Sequence, residues 1–404
     1  MTFRSFSRSL LVTSAVTMAA IAGSPDSPAI GYSYIPVNLS LVPDVAVHTI
    51  NGAGTESNVA INIFAGSGGT LKGFEIGGIM NMEQGDVSGA QFAGSVNLVH
   101  GEVSGFQSSG GANIVKGNVF GVQAADAVNS AGTLNGAQVA GIANLLRADC
   151  RGAQFGGILN TAAGISSGSQ VAGIANISNR SDGNVQFSGI VNVTGNGDAV
   201  QIAGISNLAD KINGAQFSLV NIARKVNGVQ IGLINIADEV NGASIGLFSY
   251  VKSVGLHYQF FADETGTGNT ALRCGGKNVY TLLSAGLQGE PDMGVDNFTW
   301  SLGYGLGVRY DLNNRWYINA DLMAQFMQHQ DEWNDELNMI TRARAGGGFR
   351  VSRHFAIIGG LTGNTLLSRI DDGSSLTPSW VSDAKKSGAT WHRVWPGAYL
   401  GIEL

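Results

Sequence analysis

One pattern, Gly-x-Gln-apolar-x-Gly-apolar-x-Asn-apolar, recurs through the middle of the chain. It is clearest in GAQFAGSVNL (89–98), GAQVAGIANL (136–145), GAQFGGILNT (152–161) and GSQVAGIANI (168–177). About twelve units align, and their spacing shortens from 16 or 15 residues to 14 at the end. A period near 15 is too short for a helical hairpin or a leucine-rich repeat. It predicts a β-solenoid in which each coil of two short strands buries its apolar face against the next coil.

The recurring polar positions of the unit predict side-chain ladders along the solenoid. An amide at the same place in every coil can bond to the amide of the next coil, and the recurring glycines suit bends or close backbone approach. We assign to this structural ladder Gln91, Asn97, Gln138, Asn144, Gln154, Asn160, Gln170, Asn176, Gln201 and Asn207. In the last unit Ser244 and Ser249 replace the Gln and the Asn, which we interpret as capping variation.

Charged residues occupy a single phase of the repeat. Between residues 73 and 250 they fall between one unit's Asn and the next unit's Gly, with Glu75 and Asp126 as exceptions. This predicts that one phase faces water and that the rest of the unit is protected. A rival interpretation makes each unit one strand of an antiparallel sheet or large barrel, but the uniform connections favour parallel stacking.

The last third of the chain has a different pattern. All six tryptophans lie after residue 250, and apolar residues alternate with polar ones in FTWSLGYGLGVRY (298–310), WYINADLMAQF (316–326) and AYLGIEL (398–404). Strict period two over such lengths is typical of outer-membrane β-strands. We expect an antiparallel eight-stranded barrel with alternating long and short connections, and strands at 254–261, 270–276, 278–288, 297–310, 316–329, 337–351, 354–368 and 394–404. A soluble barrel or sandwich is the alternative.

The polar faces of these strands predict a filled barrel interior. The lumen of eight strands is just wide enough for side chains. We expect a charged network there of Arg309, Asp321, Arg342, Arg344, Arg350 and Glu403. Aromatic residues near strand ends, Tyr310, Trp316 and Trp395, are predicted to form an interfacial girdle.

The N-terminus resembles a secretory signal. Arg4 and Arg8 precede an apolar stretch that is too short to span a membrane, and Ala22 ends a plausible cleavage site. The predicted organisation is a signal peptide (1–22), an N-terminal β segment or cap (23–72), a glycine-rich repeat domain (73–251) and a barrel (252–404). We expect export to a Gram-negative outer membrane, with the repeats on the periplasmic side. The formal net charge of −6 argues against nucleic acid as a partner.

In its repeats and in the segments before them, the chain resembles the bacterial surface-repeat proteins described in Leptospira. The resemblance is carried by GYSYIPVNLSLVPDV (31–45), GGTLKGFEIGGIMNM (68–82) and the repeat units, and it covers residues 31–251. It implies a secreted, envelope-associated β protein without an established catalytic site, often with a barrel-like tail.

Few residues suggest catalysis, and we expect no cofactor, no metal and no enzymatic activity. GISSG (164–168) matches a nucleophile elbow, but it lies between repeats with no helix after it. The alternatives to a structural or binding protein are a transport or biogenesis component and a secreted β-helix carbohydrate-active enzyme. The enzyme would use the cluster of Arg147, Asp149, Arg151, Arg180 and Asp182. A protein or glycan partner remains open.

Overall fold

The computed structural model describes residues 33–43, 45–46, 55–289, 298–329, 336–370, 376–381 and 384–404. The predicted signal peptide lies outside them. The chain divides into two compact units, with the boundary between Ala223 and Arg224. The fold is all-β, a parallel β-solenoid of about eleven turns followed by a closed antiparallel eight-stranded barrel. Within the described residues no helix has the length and apolar character needed to cross a membrane.

The solenoid consists of short strands, several of which merge into longer ones near its end. Their bounds are β1 (Ser33–Val42), β2 (Val45–Ala46), β3 (Thr55–Asn62), β4 (Ala65–Gly68), β5 (Thr70–Gly77), β6 (Met80–Glu83), β7 (Val87–Ala93), β8 (Val96–Val99), β9 (Val103–Ser109), β10 (Ala112–Val115), β11 (Val119–Ala125), β12 (Val128–Ala131), β13 (Leu134–Ala140), β14 (Ala143–Leu146), β15 (Cys150–Gly156), β16 (Leu159–Ala172), β17 (Ala175–Ser188), β18 (Val191–Ala203), β19 (Ser206–Phe217) and β20 (Val220–Val251).

Equivalent positions of successive repeats stack in parallel register. In the pairing of β13 with β15, Gly136 faces Gly152 and Gln138 faces Gln154. The same holds between β14 and β16, where Asn144 faces Asn160. Parallel pairing confirms the predicted solenoid and excludes the rival in which each repeat is one antiparallel strand.

The first glycine of each repeat permits the coils to approach closely. Gly152 has a φ of 137°, and a Cβ built on it would lie 2.0 Å from the carbonyl oxygen of Gly136. Any side chain would therefore collide with the backbone of the preceding coil. Glycine also adopts this φ without the strain that other residues meet there.

Each coil is too narrow to bury more than a few side chains. The apolar core is a column four residues before each ladder Gln, such as Val119 and Leu134, and a column two residues after each ladder Asn, such as Val115 and Leu146. Strand side chains alternate between inside and outside. The apolar residues that alternate with the core and ladder positions therefore point outward. The prediction that one phase alone faces water is therefore wrong.

The barrel is formed by β21 (His257–Asp263), β22 (Gly268–Gly275), β23 (Val279–Gly289), β24 (Phe298–Asp311), β25 (Trp316–His329), β26 (Asn338–Ser352), β27 (Phe355–Ser368) and β29 (Thr390–Glu403). Neighbouring strands pair antiparallel, and β29 closes the barrel by pairing with both β27 and β21. A short strand, β28 (Lys385–Ser387), extends the edge of β29. These bounds lie within a few residues of the predicted ones.

Candidate functional site

The ladder glutamines form a continuous chain of hydrogen bonds inside the solenoid. Each Nε2 donates to the Oε1 of the glutamine one coil earlier, as in Gln154 to Gln138 at 3.0 Å and Gln170 to Gln154 at 2.8 Å. The chain runs in this sense from Gln216 back to Gln91, and all of these side chains are fully buried. The amides thus satisfy one another in a core that water does not reach.

The ladder asparagines donate in the opposite direction. Asn144 Nδ2 donates to Oδ1 of Asn160 at 2.8 Å, and Asn160 donates to Asn176 at 2.9 Å. The same amide also donates to a backbone carbonyl of the next coil, as Asn144 does to Phe155 at 2.8 Å. The asparagine chain runs from Asn62 toward the C-terminal coils, and members of the predicted ladder, including Asn97 and Asn207, occupy equivalent places in it.

The two chains meet at the N-terminal end of the solenoid. Glu75 occupies the glutamine position there and accepts from Gln91 Nε2 and from Asn62 Nδ2, both at 2.7 Å. Both chains present an N–H donor to position 75. A carboxylate has two acceptor oxygens and can therefore accept from both. At the other end Asn235 donates to Ser249 Oγ at 3.1 Å, and Ser244 Oγ donates to Gln230 at 3.5 Å.

A second buried carboxyl group contacts Glu75. Burial and the charge of Glu75 hold the pKa of Glu83 well above its ordinary value, and burial also raises the pKa of Glu75. Among the described residues Glu83 Oε2 has no hydrogen-bond donor. A proton on Glu83 that bonds to Glu75 accounts for both observations.

Three clusters of charged and polar groups fill the barrel. Around Glu403, Arg309 binds at 2.8 Å, Arg273 lies at 3.3 Å and Gln259 donates at 2.8 Å. Every one of these side chains is buried. Arg273 is not among the predicted interior residues.

The second cluster surrounds Asp321. Arg344 binds this carboxylate at 2.8 Å, Asn319 donates to it at 2.8 Å and the Tyr280 hydroxyl donates to its other oxygen. The Arg344 guanidinium also lies 4.8 Å from the Tyr399 ring centroid. The charges of this cluster are therefore paired.

The third cluster lies nearer the long-loop end, and of its members only Arg342 is predicted from the sequence as an interior residue. Asp263 pairs with Arg342, and Glu264 accepts from Asn364 at 2.7 Å and from Trp395 Nε1 at 2.8 Å. Trp395 is thus buried inside the barrel, and its assignment to the interfacial girdle is wrong. Tyr310 and Trp316 are exposed on the outer surface.

Arg350 lies at the end of the lumen, where its guanidinium is 4.8 Å from the centroid of the buried Tyr317 ring. It is partly exposed at the short-turn end, where it pairs with Asp311, which also binds Lys277 at 3.1 Å. A cavity of about 220 Å³ opens at this end and is lined by Arg273, Arg309, Arg350, Arg353 and Glu403, among others. Cations outnumber carboxylates in its lining.

Three of the residues considered for catalysis, Arg147, Asp149 and Ser166, have structural partners, whereas Arg151, Arg180 and Asp182 are exposed. Arg147 donates to the carbonyls of Val115 and Lys116 at 2.7 Å, and Asp149 accepts from the Ile165 amide at 2.8 Å. Ser166 of the GISSG segment is buried and accepts from Asn184. In the described part of the chain no three His, Cys, Asp or Glu side chains are grouped as metal ligands.

Comparisons with protein-family models, with curated proteins and with solved structures find no match to this chain.

Proposed function

We propose that the protein is a non-enzymatic component of the bacterial cell envelope, in which an outer-membrane barrel anchors a β-solenoid scaffold. The carrying observation is the outer surface of the barrel. Leu302, Leu322, Leu361 and Leu400 point outward and expose between 52% and 71% of their surface. A belt of this kind is unfavourable in water, and it matches the apolar band of a membrane barrel.

The interior supports an anchor rather than an open pore. The ion pairs Glu403–Arg309 and Asp263–Arg342 join strands that are not neighbours, and Asp321 pairs with Arg344 of the neighbouring strand. Large side chains such as Tyr280, Met323 and Trp395 fill the space between them. Flux through this interior would require breaking buried ion pairs, each of which is costly to disrupt.

The solenoid supports a scaffold role because the polar side chains of its interior are hydrogen-bonded to one another in the ladders. We propose that it carries binding to a protein or glycan, and that it lies on the periplasmic side. Protease treatment of intact cells should then leave the repeats uncut, and cleavage of the repeats would contradict this orientation.

Cell fractionation combined with gel mobility before and after boiling tests the anchor. The expected result is membrane-bound protein whose mobility changes on boiling. Leu322→Arg with Leu361→Arg places two charges on the outer belt, where each costs about 2–4 kcal/mol at the bilayer midplane. This variant should lose the folded, membrane-bound form, whereas Ser387→Arg, on exposed β28, should retain it. Soluble wild-type protein with unchanged mobility would refute the proposal.

A further inference from the structure

Two columns of apolar side chains run along the outside of the solenoid. One column is the residue after each ladder Gln, and the other is the residue two places before each ladder Asn. In the first compact unit they become continuous at Val139, Phe155, Val171, Phe187, Ile202 and Phe217, with Ile142, Ile158, Ile174, Ile190, Ile205 and Leu219. We call these two columns the apolar stripe. Six coils at ~4.8 Å each make it roughly 30 Å long.

The stripe is exposed. Val139, Phe155, Phe187 and Ile205 each expose 45–51% of their surface, and the remaining members are exposed or half-buried. Soluble monomers rarely expose a contiguous apolar patch of more than a few hundred Å², and larger patches mark surfaces that meet a partner or a membrane.

Charge is excluded from the stripe. The exposed side chains of Arg151, Arg180, Asp182 and Lys211 all lie in the segments between a ladder Asn and the next ladder Gln. Exposed Asp126 lies just before the first continuous coil, where the stripe positions hold small residues. The outline of a coil is therefore amphipathic, with an apolar side and a charged side.

The second compact unit also carries exposed apolar columns of this kind. The same columns recur there as Ile231, Leu233 and Leu247, all exposed. The carbonyl of Gly246, next to Leu247, accepts a hydrogen bond from the Tyr304 hydroxyl at 3.1 Å. Tyr304 lies in the outward-facing row of β24, between exposed Leu302 and Leu306. In this unit one apolar column therefore meets the outward-facing row of β24 at Tyr304.

We infer that the apolar stripe lies on the surface of a lipid bilayer. The inference rests on the proposed function, because the barrel belt that the columns of the second unit meet at Tyr304 is the surface assigned to lipid. An element with one apolar and one charged side binds in the membrane interface, with its apolar side about 5–10 Å deep at the headgroup–acyl boundary.

Site-specific fluorescence quenching in the full-length protein tests the inference. The protein is reconstituted into phosphatidylcholine vesicles after Phe187→Cys, and the thiol carries an environment-sensitive fluorophore. Asp182→Cys is the matched control, because it is exposed in the same coil on the charged side. Leu306→Cys reports on the barrel belt. Native Cys150 and Cys274 are buried, which protects them from labelling.

The expected result is severalfold stronger quenching of the label at residue 187 by nitroxide lipids than by aqueous iodide, and the reverse at residue 182. Quenching of residue 187 by iodide alone, with residue 306 quenched by lipid, would refute the inference and leave the barrel anchor standing. Residue 187 protected from both quenchers and cross-linked between copies would assign the stripe to a second copy and also refute it. Iodide quenching at residue 306 would instead overturn the anchor itself.

Discussion

The amide of Asn62 donates to the carboxylate of Glu75 at 2.7 Å and so joins two hydrogen-bonded chains of opposite direction. The glutamine chain reaches Glu75 as a donor, and Asn62 begins the asparagine chain through its bond to Asn81 at 2.9 Å. A glutamine in place of Glu75 would present one donor where two acceptors are needed. The direction of the two ladders therefore explains why Glu75 replaces glutamine in this repeat.

Glu83→Gln should change how stability depends on pH. The folded state holds the proton of Glu83 more tightly than the unfolded chain, because burial and Glu75 raise its pKa well above 4.5. The stabilisation of the folded state by the Glu83 proton is fully present below pH 4.5. It is lost as the pH rises through the raised pKa of Glu83. Thermal unfolding between pH 4 and 8 should therefore show wild-type stability falling more steeply than that of the variant. Glu102→Gln, on the exposed charged phase, is the control, and equal slopes would contradict the protonated pair.

Gln154→Leu should destabilise the solenoid by about 2–5 kcal/mol. It leaves the Gln138 oxygen without a donor and the Gln170 amide without an acceptor, and each unpaired buried group costs about 1–3 kcal/mol. Asn135→Leu makes a similar change on the exposed side of the neighbouring coil and should cost little. Urea unfolding followed by circular dichroism measures both, and equal midpoints would show that the ladder does not contribute to stability.

Gly152→Ala should destabilise more than Gly183→Ala. Both glycines have positive φ, so each variant meets backbone strain, which is about 1–2 kcal/mol in the left-handed conformation of Gly183 at φ 67°. The Cβ at position 152 additionally meets the Gly136 carbonyl at 2.0 Å, whereas nothing lies within 4 Å at position 183. The difference between the two unfolding midpoints reports the steric contact between coils together with the difference in backbone strain between φ 137° and φ 67°. A larger loss at position 183 would contradict it.

Glu403→Gln should weaken the barrel by about 3–5 kcal/mol, because it leaves Arg273 and Arg309 buried without their carboxylate. Asp311→Asn removes a carboxylate that also binds two cations but lies at the partly exposed end, where the cost is about 1 kcal/mol or less. The temperature at which the folded gel band converts to the unfolded one compares them. Conversion at the same temperature would mean that the interior pairs do not hold the barrel together.

Much of the fold could be predicted because both halves of the chain repeat a short period. Equal spacing of Gln and Asn implies parallel coils, and period two over 14 residues implies β24 and β25. The direction of the ladders could not be predicted, because an amide is both donor and acceptor. The apolar stripe could not be predicted either. The positions of the charged residues show which parts of a coil face water, but they do not show whether the apolar residues elsewhere point inward or outward.

The misplaced and missed interior residues lie near the ends of the strands as the sequence predicts them. Trp395 has the same parity as Tyr399 and Glu403 along β29, so alternation alone predicts that it faces inward. Its aromatic character near a strand end suggests a girdle instead. Asp263 is absent from the predicted interior because the predicted first barrel strand ends at residue 261, two residues before the structure ends it.

The ladders also make the length of the solenoid adjustable. Every inner coil makes the same Gln and Asn hydrogen bonds to the coil before it and to the coil after it. Deleting or duplicating one whole coil therefore leaves Glu75 at one end and Ser249 at the other. Gene duplication within the repeat can then lengthen the protein in steps of ~4.8 Å without redesigning either end. The length of the solenoid can therefore change during evolution by one repeat unit at a time.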